Sequence, residues 1–168
     1  MNRPFDTKCA QLDDLLGVGR SFDMVSRELY IGGCRAKMWV VNGYAKDMLL
    51  ERTVEKLQAV KTLEDIGGVD DLLRRYITVC DAETCQDRMQ AVTDVFSGKT
   101  LLVVEGFDGG ILLDAKEFPT RSVQEPDAGK VLRGSHDGFV ENIMENAALL
   151  RRRIRDPALT LERHQIGG

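Results

Sequence analysis

The residues most able to do chemistry fall into a few short groups, and each also has a plainer structural reading. Ser97-Gly98-Lys99-Thr100 ends like a phosphate-binding loop. Such a loop needs a glycine five residues before its Gly-Lys pair, with a strand ahead and a helix behind. Here that position is Thr93, and the order is inverted: a helical pattern precedes Gly98 and the apolar run Leu101-Leu102-Val103-Val104 follows it. No helix N-terminus would face a phosphate, so Gly98 reads as a left-handed helix cap. Cys80 and Cys85 lack a second pair, and the two histidines, His136 and His164, lie far along the chain. Structural zinc wants four ligands at tighter spacing, so ordinary thiols are expected. Nothing brings Cys80 or Cys34 to His136 as a nucleophile with its base. Glu105, Asp108 and Asp114 flank the Gly106-Phe107-Asp108-Gly109 turn signal, where acids serve local hydrogen bonding. No catalytic, cofactor-binding or metal-ligating residue is therefore singled out.

The Arg151-Arg152-Arg153-Ile154-Arg155 cluster is the remaining candidate, and its element decides its use. From Gly138 onward Val140, Ile143, Ala147, Leu150 and Ile154 recur at three- and four-residue steps, with Phe139, Met144 and Leu149 widening the stripe. That spacing predicts a long amphipathic helix with its aliphatic side buried. Ser135 or Asp137 can cap its start, the arginines suit its negative C-terminal end, and Asp156-Pro157 stops it. With Glu141 and Glu145 on the same helix, the arginines read as forming ion pairs within the protein or with a neighbouring subunit, or else as a solvated face, and not as a nucleic-acid contact.

The rest of the chain must position that helix. Leu12, Leu15 and Leu16 suggest a short helix, interrupted by Gly17-Val18-Gly19, within an N-terminal segment, residues 1–20, that reads as loosely held. Phe22, Met24, Val25 and Leu29 read as a helix capped by Ser21 and ended by Gly32-Gly33. A strand follows over 36–41, closed by Asn42-Gly43, then a helix over 45–60. Residues 62–71 read as loop, 76–80 as a strand and 81–96 as a helix. Two strands, 100–105 and 110–115, close as a hairpin. The fold class is thus α/β: a small mixed sheet of about four strands, partly parallel, with helices on its faces and a long C-terminal amphipathic helix. Residues 21–156 form this subdomain, and 157–168 read as a linker and the start of a second one.

At 168 residues the chain can bury roughly 70% of its unfolded surface, enough for one independent core. A net charge of −4 with 30% charged residues argues against an electrostatic nucleic-acid binder. The four cysteines and an N-terminus without an apolar secretory core point to a reducing cytosol and free thiols. No run approaches the roughly 18 apolar residues of a membrane-spanning helix.

Arg121-Ser122, Glu125-Pro126, Arg133-Gly134, Gly138-Phe139, Glu141-Asn142, Asn146 and Arg151 through Asp156-Pro157 together resemble the cytoplasmic domain of the spore germination receptor A-subunit (GerA) family. Looser likeness runs upstream to about Phe22, and Gly32-Gly33 with Gly43-Tyr44-Ala45-Lys46-Asp47 is most similar to the family's stage V sporulation branch. Ser135-His136-Asp137 departs from the family's usual Pro-Arg-Glu. The resemblance implies membrane helices and a second α/β subdomain beyond this sequence, so the chain is expected to be part of a longer protein. It further implies a place on the cytoplasmic side of the inner spore membrane and partnership with other germination-receptor subunits in complexes linked to ion release. A faint echo of Tyr30-Ile31-Gly32-Gly33 in Gln165-Ile166-Gly167-Gly168 suits a lead-in to that second unit.

The expected function is non-enzymatic. Arg121, Glu125, Pro126, Arg133, Gly134, Gly138, Phe139, Asn142, Asn146, Arg151, Arg152, Arg153 and Asp156 are expected to form a subdomain or partner interface, with self-association in the full protein. The alternative is a small-molecule-binding α/β module or enzyme, its ligand near Asn42-Gly43 or Asp81 at strand ends. A freestanding adaptor is a third possibility, if the chain is complete.

Overall fold

A computed structural model describes residues 4–44, 47–78, 80–115, 139, 141–154 and 156–166. In chain order the elements are α1 (Pro4–Leu16), β1 (Met24–Ile31), β2 (Cys34–Val41), α2 (Asp47–Gln58), α3 (Val69–Tyr76), β3 (Asp81–Cys85), α4 (Arg88–Phe96), β4 (Thr100–Val104), β5 (Gly110–Asp114) and α5 (Ile143–Ile154). The strands form one five-stranded sheet in the order β1-β2-β4-β5-β3, with every pairing antiparallel. The α/β class, the helices on both faces and the C-terminal helix match the expectation. The partly parallel pairing does not.

Two of the corrections have clear local causes. Residues 24–31 form a strand instead of a helix, because Gly32 and Gly33 are the centre of a two-residue hairpin turn between Ile31 and Cys34. Both glycines take positive φ, +55° and +83°, which is what the turn type matching strand twist demands. Leu29 and Ile31 then face one side of the sheet and Met24 the other. The segment 81–85 is likewise a strand, with its helix beginning only at Arg88 behind an Asp87 cap whose side chain accepts from Gln90 N–H at 2.7 Å. As an edge strand paired only to β5, Asp81–Cys85 carries no apolar alternation to announce itself. Where a strand is expected from Tyr76, the structure has the last residue of α3, capped at Ile77, while Val79 lies outside the described residues.

Residues 4–16 are not loose. In α1, Phe5, Cys9, Leu12 and Leu16 are all buried, a spacing of four, three and four residues that lays one stripe on the sheet. Helices α1 and α4 cover the face lined by Trp39, Val41, Leu101, Val103 and Leu112. Helices α2 and α3 cover the opposite face with Leu50, Val54, Leu57, Val69 and Leu72 over Ile31, Met38, Leu102, Ile111 and Leu113. β4 is buried at every position, as a central strand between two helical layers must be.

Candidate functional site

The β1–β2 hairpin opens at the end where Asp23 precedes β1 and Asn42-Gly43-Tyr44 follows β2. There Asn42 N–H donates to the Asp23 carbonyl at 2.7 Å. Helix α5 lies across this open end. Gly43, at φ +88°, turns the chain with no side chain in the way: a Cβ on it would come within 3.4 Å of the Met144 carbonyl oxygen and 3.5 Å of Ala148 Cβ. The next residue, Tyr44, is 1% exposed and donates its hydroxyl proton to the Ala148 carbonyl at 2.9 Å. Met144, Ala148 and Arg151 are four and three residues apart, so one helical face meets the hairpin.

Arg151 completes that face. It is 1% exposed and Asp23 is fully buried. Arg151 Nε donates to Asp23 Oδ2 at 2.5 Å and Nη2 donates to Asp23 Oδ1 at 2.9 Å, a two-pronged pair between positions far apart in sequence. Nη2 also donates to Ser21 Oγ at 3.0 Å, and the guanidinium lies over the Phe96 ring, 4.9 Å from its centroid. Nη1 is buried without an acceptor. Ser21 Oγ donates to Asp23 Oδ1 at 2.6 Å and accepts the Leu161 backbone N–H at 3.0 Å, while Phe22 N–H donates to the Leu161 carbonyl at 3.0 Å. The chain after α5 is thereby tied to the same spot as the helix.

The buried face of α5 differs from the expected one. Ala147, Ala148 and Arg151 are buried, whereas Ile143 and Ile154 stand 47% and 51% exposed. The helix is turned by about one residue from the aliphatic stripe, because the close approach of Gly43 admits only a small residue and the buried Asp23 claims Arg151. It is capped by Asn142, whose Oδ1 accepts from Met144 N–H at 2.9 Å; Ser135 and Asp137 lie outside the described residues.

Among the interface candidates, Arg151 is at the core of the site. Arg152 and Arg153 are exposed in the last turn of α5, Asn146 is half-buried on it, and Asp156 is exposed beyond it, its Oδ1 accepting from Ala158 N–H at 2.8 Å. Phe139 is 66% exposed. Arg121, Glu125, Pro126, Arg133, Gly134 and Gly138 lie outside the described residues. Sequence reasoning missed Asp23 and Tyr44 and assigned Ser21 to a helix cap. A Ser-x-Asp ahead of a strand carries no signal of its own, since its partner is 128 residues away from Asp23.

The chemistry elsewhere is muted. All four cysteines are free; burial pushes the Cys9 thiol up to about 11 and raises those of Cys80 and Cys85. Lys99 pairs with Glu83 and, at 3.1 Å, with Asp94, and Gly98 caps α4 at φ +106°. A cleft of about 550 Å³ lies between α1 and α4, floored by Leu12, Ala91, Leu101 and Val103 and rimmed by Lys8, Gln86, Asp87 and Arg88. Burial lowers the Lys8 ammonium, whose Nζ donates to the Gly109 carbonyl at 2.7 Å. Among the described residues no cluster is arranged to hold a metal, and no helix is long and apolar enough to cross a membrane.

The fold and the sequence are each similar to those of known proteins. The structure is similar to the crystal structure of the N-terminal domain of the A subunit of the Bacillus megaterium spore germinant receptor GerK3, at a TM-score of 0.71 and 20% identity, covering 95% of this chain and 58% of that one. The sequence is 33% identical over 153 residues to stage V sporulation protein AF of Bacillus subtilis, covering 90% of this chain and 31% of the relative. It is 29% identical over 154 residues to spore germination protein B1 of the same organism, covering 89% and 32%. The chain thus spans about a third of the length of the curated relatives it matches. The family model described as Bacillus/Clostridium GerA spore germination protein matches residues 10–168, and the chain belongs to that family.

Proposed function

We propose that this domain works without catalysing a reaction. It sits on the cytosolic side of the spore membrane as part of a longer germination protein and helps assemble a receptor or ion-channel complex with other germination subunits and with copies of itself. Membrane contact would come only through segments outside this sequence. The observation that carries the reading is the two-sidedness of α5. Its inner side is fixed to the domain through Ala147, Ala148 and Arg151, which leaves Ile143, Arg152, Arg153 and Ile154 presented outward on a positioned helix. Exposed arginine side chains beside apolar ones on one helix suit a protein interface. The absence of catalysis is supported by thiols that burial holds protonated and by a Lys99 ammonium engaged with Glu83 and Asp94.

Charge reversal of Arg152 and Arg153 to Glu in the full-length protein tests this. Co-purification of the germination subunits is expected to fall at least tenfold, while the thermal transition of residues 1–168 carrying the same changes stays within a few degrees. Unchanged assembly would refute the reading. The cleft between α1 and α4 favours a second reading, a small-molecule module, since its volume suits a compact ligand and its floor is apolar. Saturable chemical-shift changes confined to Lys8, Gln86 and Arg88 in a small-molecule screen would support it.

A further inference from the structure

The contacts that hold α5 and the segment behind it meet at one hydroxyl. Ser21 Oγ gives its only proton to Asp23 and accepts from both Arg151 Nη2 and the Leu161 N–H. A serine hydroxyl has one donor and two acceptor sites, so this one is saturated. A side chain of the helix and a backbone group ten residues later are therefore tied to the same atom. Residues 157–160, between the two ties, form one wall of a cavity whose other walls include Leu15 and Leu16 of α1 and Met89 and Val92 of α4.

The apolar part of the seat is thin. The fully buried α5 side chains other than Arg151 are two alanines, and the large aliphatic residues Ile143 and Ile154 are half in solvent. The polar part is directional and demanding. A buried ion pair gives little net stability over an apolar pair of the same shape, but removing one partner is strongly unfavourable, so such pairs fix geometry more than they add strength. Arg151 Nη1 lacks an acceptor, so water would recover a hydrogen bond on opening that the closed state does not make. Small apolar area, a saturated polar tie and one unmet donor together describe an element that sits in a single position or leaves as a unit.

We propose that Ser21, Asp23 and Arg151 form a releasable latch. Closed, it holds α5 and residues 157–161 against the open end of the β1–β2 hairpin. Open, helix and following segment detach together while the sheet and the other helices stay folded. The latch adds a moving part to the assembly reading without depending on it, because it concerns how the chain leaves the domain, whatever the outer face of α5 binds.

Amide hydrogen exchange on this chain tests the latch. In the unaltered protein, the amides of Ala147 through Ile154 and of Leu161 and Phe22 are expected to share one opening, at least about a hundredfold more frequent than that of β4. Ser21→Ala should raise exchange at Leu161 and throughout α5 together, by about tenfold or more. Arg151→Lys, which keeps the charge but not the two-pronged geometry, should do the same to a smaller extent. If Ser21→Ala loosens Leu161 alone, the helix and segment are independent and the latch is wrong. If Leu57→Ala, whose contacts lie on the opposite face of the sheet and survive the opening, speeds α5 in parallel with β4, α5 is an ordinary core helix and the latch is equally wrong; under the latch only β4 speeds up.

Discussion

The two faces of the sheet are sealed by different physics. The face under α2 and α3 is closed by aliphatic side chains, with Leu57, Leu72, Ile31, Ile111 and Leu113 at or near zero exposure; its buried Thr53 turns its hydroxyl back to the Leu49 carbonyl of its own helix. The face under α1, α4 and α5 is threaded with polar contacts. Asp13 Oδ1 accepts the Trp39 indole N–H at 2.8 Å and its Oδ2 accepts Lys37 Nζ at 2.6 Å, Tyr44 holds Ala148, and Asp23 holds Arg151. Aliphatic burial is non-directional and scales with area, so it stabilises without choosing one arrangement. Directional hydrogen bonds contribute less net stability but penalise every other arrangement. The difference assigns stability to one face and position to the other. The positioned face is also the one carrying α5.

Breaking the aliphatic face should therefore have the largest effect. Leu57→Ala, at a site 1% exposed, is expected to lower unfolding free energy by about 2–5 kcal/mol, read as a shift in denaturant midpoint at unchanged slope. Exchange of β4 should rise with that loss while α5, which opens on its own, keeps its rate, so the gap between them narrows. On the polar-threaded face Asp13→Ala should cost less, about 1–3 kcal/mol, by leaving the Trp39 N–H and the Lys37 ammonium without their acceptor. Its distinguishing readout is the emission of Trp39, the chain's one tryptophan, which should shift as α1 changes its seat. A larger stability loss from Asp13→Ala than from Leu57→Ala would invert the assignment of the two faces.

The same contrast explains what could be read in the sequence. The hairpin of β4 and β5 and most of the stripes of α2 and α4 are legible because their residues meet apolar surface, which periodicity encodes; Met48 and Met89, at the starts of those helices, share the spacing but are exposed. Strand β1 was not. Phe22, Val25 and Leu29 satisfy a helical spacing by accident, and the decisive signal was Gly32-Gly33, equally readable as a helix end or as a hairpin turn. The face of α5 was misread by about one residue for a related reason. An aliphatic stripe predicts burial only where the facing surface is aliphatic, and here it is a glycine, a tyrosine hydroxyl and a carboxylate. The arginine cluster drew attention as an outward feature, and one of its members is the most buried charge on the helix. Nothing local distinguishes Arg151 from Arg152; only the distant Asp23 does.

The smallest expected effect lies in Cys9, which tests whether the polar-threaded face changes with pH. Its thiol is pushed up to about 11 from an ordinary 9.0, first by burial, with nearby Lys37 opposing and Asp13 adding to the rise. Between those two pH values the unfolded chain loses the Cys9 proton while the folded chain keeps it. The unfolded state then binds fewer protons, so stability falls as pH rises. The contribution of the neutral buried thiol is fully present below about pH 9 and lost by about pH 11. Tyrosines and lysines titrate in the same range, so the useful quantity is the difference between the unaltered chain and Cys9→Ala. That difference should be constant up to about pH 9 and narrow above it, with the alanine variant showing the shallower alkaline decline. Parallel curves through pH 11 would mean that the thiol is not held neutral in the fold. The α1 seat would then be wetter than its 6% exposure at Cys9 implies, and the division between a face that stabilises and a face that positions would have to be redrawn at α1 first.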